Sequence, residues 1–162
     1  MKKYSFPPLA SEDSEILVLG SLPGEKSLEM QQYYAFPQNA FWKIMFQIFN
    51  KEFSTDYEVR KKLIIDNKLA LWDTIQSGTR KGSLDSDIKN EEPNDIVGFI
   101  KEHPHIKRIL LNGKKPEAMF KKYIGDVGIE TVTMPSTSPA NARVKYEQKL
   151  DVWKAAILDS SN

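Results

Sequence analysis

A chain of 162 residues, 40% of them apolar, has the length of one domain and can furnish one sizeable core. Its 23 basic and 22 acidic residues leave a formal charge of +1, so no whole-molecule field draws it to a polyanion and any nucleic-acid contact must come from local placement. No apolar run reaches the ~18 residues of a membrane span, prolines follow Tyr4 where a signal core would begin, and the lack of cysteine excludes disulfides and thiolate chemistry. The expectation is one domain over residues 1–162, soluble and cytoplasmic, acting as a monomer away from membranes.

The first dozen residues end in a polar turn at Ser11-Glu12-Asp13-Ser14. Ile16-Leu17-Val18-Leu19 is then a short apolar run of the kind that forms a strand buried on both faces. Gly20-Ser21-Leu22-Pro23-Gly24 follows it as a glycine-bounded loop. Phe41, Ile44, Met45, Ile48 and Phe49 share one helical face. Residues 56–66 repeat that pattern with Tyr57, Val59, Leu63 and Ile64, capped by Thr55 or Asp56. Leu69-Ala70-Leu71-Trp72 is a second strand running into Asp73, and the polar stretch 77–92 reads as a long loop. Pro93-Asn94 opens a short helix, Arg108-Ile109-Leu110-Leu111 is a third strand ending at Asn112-Gly113, and Pro116 sits in the first turn of another helix. Residues 128–133 give a fourth strand, 134–139 a loop, and Tyr146, Leu150, Trp153 and Ile157 mark the last helix.

Strands alternating with helices predict an α/β fold, a parallel sheet with helices on both faces. Ligands bind such sheets outside the carboxyl ends of the strands. The strand ends Gly20-Ser21, Asp73, Asn112-Gly113 and 136–138 share that edge, and a site there should combine the Gly20 loop, Asp73 and the Ser/Thr/Pro loop with the segment Tyr33-Tyr34-Ala35-Phe36-Pro37-Gln38-Asn39-Ala40-Phe41-Trp42. That segment sets flat rings and a proline beside two adjacent carboxamides at a helix entry, which suits a pocket for a planar ring. Asn39 has a second reading as the helix N-cap, and the rings as core or helix-staple residues.

Several chemistries fail on the residues. A serine nucleophile at Ser21, Ser136 or Ser138 needs a base, and the two histidines, His103 and His105, lie between a helix and a strand at the opposite edge. No metal ligands stand at recognisable spacing. The 20–24 loop lacks both the dinucleotide glycine pattern and the lysine-serine ending of a phosphate loop.

Gly20-Ser21-Leu22-Pro23-Gly24, the 33–42 segment and Ser136-Thr137-Ser138-Pro139-Ala140-Asn141, in that order, resemble the uracil-DNA glycosylase superfamily. The likeness is greatest to its hypoxanthine-DNA (deoxyinosine) glycosylase branch and runs from about residue 16 to 153, the middle block being the specific one. It implies a three-layer α/β/α fold with a four-stranded parallel sheet. It also implies flipping of a deaminated base, hypoxanthine or uracil, out of DNA and hydrolysis of its N-glycosidic bond, with no metal or organic cofactor.

On that resemblance Asn39 is the catalytic group and Tyr34 the ring that stacks on the base. Gly20, Ser21, Leu22, Pro23, Phe36, Gln38 and Asp73 complete the base pocket, Asp73 having a second reading as a loop cap. Ser136, Ser138, Pro139, Ala140, Asn141, Arg143 and Lys114 face the DNA, with Ser136 and Ser138 offering hydroxyls and free helix-start amides to phosphate. Two positions depart from the pattern: Phe36 stands where relatives carry histidine, and Leu22 where other branches carry a water-orienting aspartate or asparagine. They keep open a fold member that binds nucleic acid or a nucleobase without cleaving it. A small-molecule α/β hydrolase is disfavoured by the histidine positions.

Overall fold

The computed structural model describes residues 2–159. Its centre is β2 (Ile16–Gly20), buried throughout, with β3 (Leu69–Asp73) and β6 (Arg108–Asn112) parallel on either side and β7 (Glu130–Met134) outside β6. Period-two alternation along these strands feeds two cores. Ile16, Val18, Leu69, Leu71 and Leu110 face one way, against α2 (Phe41–Ile48), α3 (Tyr57–Asp66) and α6 (Tyr146–Leu158). Leu17, Leu19, Ala70, Ile109 and Leu111 face the other, against α4 (Ile96–Glu102) and Phe120 of α5 (Lys114–Tyr123). The predicted three-layer α/β/α architecture with a four-stranded parallel sheet is the one observed, and among the described residues no helix is long and apolar enough to cross a membrane.

The stretch expected as a long loop is a second sheet. β4 (Ile75–Thr79) pairs antiparallel with β5 (Lys89–Pro93) on one side and with β1 (Lys2–Tyr4) on the other. Lys-Asn-Glu-Glu-Pro in β5 carries no apolar alternation, and the register shifts twice along the β4–β5 pair, so backbone pairing rather than face burial defines it. A short helix, α1 (Glu25–Met30), also escaped the periodicity, and α4 starts at Ile96 with Asp95 accepting from Gly98 N, two residues beyond the expected opening. In α3 the position expected to be apolar, Val59, is exposed. Arg60 is buried instead, its guanidinium 5.3 Å from both the Trp42 and Phe53 rings.

The strand ends line up on one edge: Gly20 is in register with Asp73, and Asn112 with Met134. At the turn out of β6, Gly113 has φ 109°, and a Cβ there would stand 3.0 Å from Ser136 Cβ. Gly113→Ala should therefore lose about 1–3 kcal/mol of stability through strain and crowding, read as a lower urea midpoint with unchanged slope.

Candidate active site

The strand-end edge gathers residues from five separate parts of the chain. Gly20 leaves room for its neighbours: a Cβ on it would lie 2.7 Å from Asp73 Oδ1 and 3.2 Å from the Tyr34 hydroxyl. Asn112 Nδ2 donates to that hydroxyl at 3.3 Å and to Thr137 Oγ1 at 3.0 Å, while its Oδ1 accepts from Thr137 N at 3.0 Å. Thr137 O in turn accepts from Ala40 N at 3.0 Å, so the second and third motifs are joined backbone to backbone.

The 33–42 segment is held by bonds that leave few of its groups idle. Trp42 Nε1 donates to Tyr33 O, the Tyr33 hydroxyl donates to Pro7 O, and Ala35 N donates to Ser27 Oγ. Tyr34 takes the left-handed conformation at φ 53°, an unusual one for a ring-bearing residue, and stacks on Phe41 with centroids 4.1 Å apart at 23°. Burial raises the Tyr34 phenol above its ordinary value, and the nearby Asp73 adds to this. Asn39 is half-buried; its Oδ1 accepts from Phe41 N at 3.0 Å, closing a turn just ahead of α2, whose N-cap is Ala40 and not Asn39 as one reading of the sequence had it. Because a backbone N–H must meet an acceptor, that bond fixes which end of the amide is oxygen. Nδ2 is left without a protein acceptor among the described residues. Phe36, at 47% exposure, and Gln38 both face outward.

Asp73 is buried, and its Oδ2 has no hydrogen-bond partner. Burial pushes its carboxyl up to about 7, with the Asp85 charge adding to the rise and Arg80 opposing it. Its backbone carbonyl, not its side chain, ties the following turn, accepting from Asn94 Nδ2 at 2.8 Å. Ser21, Leu22 and Pro23 are buried: Ser21 Oγ donates to Asp85 Oδ1 at 2.5 Å, and Leu22 packs with Ile75, Ile88 and Met119.

The 135–141 loop differs from expectation in one respect. No helix begins there; α6 starts at Tyr146. Ser138 N donates to Ser136 Oγ, Ala140 N to Ser138 Oγ and Asn141 N to Ser138 O, so these amides are engaged inside the loop and are not free helix-start donors. From behind, Trp153 Nε1 donates to Pro135 O, buried Lys149 donates to Ser138 O, and Asn141 Nδ2 donates to Ser136 O. Pro139, Ala140, Arg143 and Lys114 are exposed, and neither Lys114 nor Arg143 takes part in an ion pair among the described residues. An open depression beside Phe46, Lys51 and Tyr146 on the α2 and α6 surface includes none of these residues.

Residues 7–160 match the Uracil DNA glycosylase superfamily. The chain belongs to that superfamily. It is 40% identical over 150 residues to a protein named hypoxanthine DNA glycosylase from Methanosarcina barkeri (strain Fusaro / DSM 804), covering 92% of this chain and 94% of the relative. It is 36% identical over 158 residues to another of that name from Methanosarcina acetivorans, covering 97% and 99%. A solution NMR structure from M. acetivorans, provisionally assigned to the uracil DNA glycosylases, superposes with a TM-score of 0.83 at 36% identity over 97% of each chain.

Within this superfamily member the sequence reading passed over three groups. Asn112 was placed at a strand end and given no role, since Asn-Gly after an apolar run also signals a plain turn. Arg80 and Asp85 fell in the stretch taken for a loop, where charges are ordinarily solvated; in the structure Arg80 is buried.

The raised Asp73 carboxyl has a measurable consequence. A folded-state value above the unfolded one means that the neutral form stabilises the fold; this contribution is full below the unfolded value near 4 and is lost as pH rises through about 7. Asp73→Asn should therefore gain stability over the parent as pH rises from 5 to 8, by on the order of a few kcal/mol. Paired urea denaturations at the two pH values measure the difference, and a gap that does not change with pH would count against it.

Proposed function

We propose that the substrate is a deaminated base in DNA, hypoxanthine foremost and uracil second, released by hydrolysis to leave an abasic site. That the chain is a DNA repair N-glycosylase follows from its superfamily and from two near-full-length relatives named for that activity. The reading extends to one glycosylase domain over residues 1–162, acting as a monomer in the cytoplasm.

The observation that carries it is the Asn39 amide, locked by Phe41 N with Nδ2 free. As the C1′–N bond breaks, its electrons pass to the departing base and the sugar becomes oxocarbenium-like. A donor set beside the base stabilises that developing negative charge, and a water then adds to C1′ and loses its proton to solvent. Such a dissociative path needs no strong base, which fits a site whose histidines are remote. Tyr34 has one ring face on Phe41, and the other face stacks on the flipped base. Asp73 and Asn112 stand at the strand ends where polar edges of a base would reach, with Gly20, Ser21, Leu22 and Pro23 behind them and the exposed Phe36 and Gln38 at the outer rim. Ser136, Ser138, Pro139, Ala140 and Asn141 form the pinned loop that grips the backbone around the lesion, with Arg143 and Lys114 supplying local positive charge.

Leu22 favours a second reading, because its burial against Ile75, Ile88 and Met119 leaves no water-holding side chain on the first motif. Under that reading the protein binds damaged DNA without cutting it. Duplexes carrying one hypoxanthine, uracil or mismatched thymine, incubated and then treated with alkali, separate the two: breakage at hypoxanthine supports cleavage, and salt-sensitive binding without breakage supports the alternative.

Asn39→Ala should lose roughly 10² to 10³ in single-turnover rate, the cost of one preorganised donor, while the duplex Kd stays the same; a full-rate variant sinks the assignment. Replacing Lys114 and Arg143 together by glutamine should flatten the slope of log affinity against log salt by about 2, whatever the base at the lesion.

A further inference from the structure

The 80–88 connection between β4 and β5 folds back over the 20–24 loop. Each of the four residues after Gly20 meets it. Ser21 Oγ donates to Asp85 Oδ1 at 2.5 Å, and Leu22 packs against Ile88. Arg80 Nη2 donates to Pro23 O, and a Cβ on Gly24 would lie 3.3 Å from Ser83 Oγ. Glu25 N, the first residue of α1, donates to the same Ser83 Oγ at 2.9 Å. Arg80 and Asp85 also pair with each other at 3.6 Å.

The unusual element in this clamp is Arg80. Its side chain is 1% exposed, and its Nε and Nη1 have no hydrogen-bond partner. Desolvating a guanidinium is costly, and a hydrophobic residue of similar volume is often no less stable. A charge kept there against that cost fits a role in holding neighbours in place. Arg80 reaches the first motif through the Pro23 carbonyl, and Asp85 reaches it through the Ser21 hydroxyl. We propose that Arg80 and Asp85 are positioning residues of this site, clamping the 20–24 loop from outside so that Gly20 stays pressed between Asp73 and Tyr34.

Arg80 and Asp85 carry opposite charges toward the Asp73 carboxyl. The other groups facing it are the Tyr33 and Tyr34 hydroxyls, both held neutral by burial. Asp85 disfavours the ionised form of Asp73 and Arg80 favours it, so the clamp that fixes the loop also biases the charge beneath it. Asparagine in place of Asp85 keeps an acceptor for Ser21 and removes one charge. Lysine in place of Arg80 keeps the charge but, as a single compact ammonium, cannot serve Pro23 and Asp85 with the fixed fork of a guanidinium.

The inference rests on the glycosylase reading only for its activity arm, and the test has two arms. In 15N-labelled protein, Arg80→Lys should shift the amide resonances of Ser21, Leu22, Gly24 and Glu25. Its single-turnover excision of hypoxanthine from duplex DNA should fall about tenfold, as for loss of one charge-assisted hydrogen bond, with half-saturation unchanged. Asp85 is half-exposed, so Asp85→Asn is the variant expected to fold in any event. In it the side-chain 13C signal of Asp73 should titrate at lower pH than in the parent. Loop resonances, excision rate and Asp73 titration all matching the parent in both variants would overturn the proposal. If the parent cuts neither hypoxanthine nor uracil while the loop resonances and the Asp73 titration still respond, the clamp stands and the substrate reading fails.

Discussion

The amide of Asn112 is the contact on which the site depends. It sits at the carboxyl end of a central strand and bonds the Tyr34 hydroxyl, the Thr137 hydroxyl and the Thr137 amide, joining segments 78 and 25 residues away in sequence. Buried as it is, the group tolerates no partial satisfaction: stranding one of its partners costs about 1–3 kcal/mol. The Thr137 backbone then passes the constraint to Ala40, beside Asn39. The aromatic segment and the 135–141 loop are thus referenced to one atom group on the rigid sheet, which is the arrangement catalysis by placement requires.

Placement matters here because strong acids and bases are scarce. Asp73 is the carboxyl at the strand ends, and its burial brings it near neutrality instead of leaving it a fixed anion. The remaining polar groups are amides and hydroxyls, with the tyrosines held neutral. Such a site can orient, stack and donate. Its chemistry therefore has to be one in which the substrate's own bond breaking does most of the work, as in departure of a base from a sugar.

The sheet was legible in the sequence because three of its strands are short, mainly apolar runs with turn residues after them, and α2 because its stripe recurs at helical spacing. The second sheet was hidden, since Lys-Asn-Glu-Glu-Pro pairs through its backbone and buries little. At Asn39 two readings of the sequence competed, and the N-cap one misses by a residue: Ala40 holds that position, while Asn39 Oδ1 closes the turn ahead of it and leaves Nδ2 for the chemistry proposed. Asn112 and Arg80 could not be read, because their importance comes from partners remote in sequence. The serine-rich loop was placed correctly but given a helix start it lacks, since Ser-x-Ser caps turns as readily as helices.

The rear supports of the 135–141 loop, Lys149 and Trp153, lie on α6, the last helix of the chain, while β2 finds its partners β3 and β6 some 50 and 90 residues downstream. The shape of the 135–141 loop therefore answers to α6, an element outside the loop, so a substitution at Lys149 or Trp153 reaches the strand-end edge from behind.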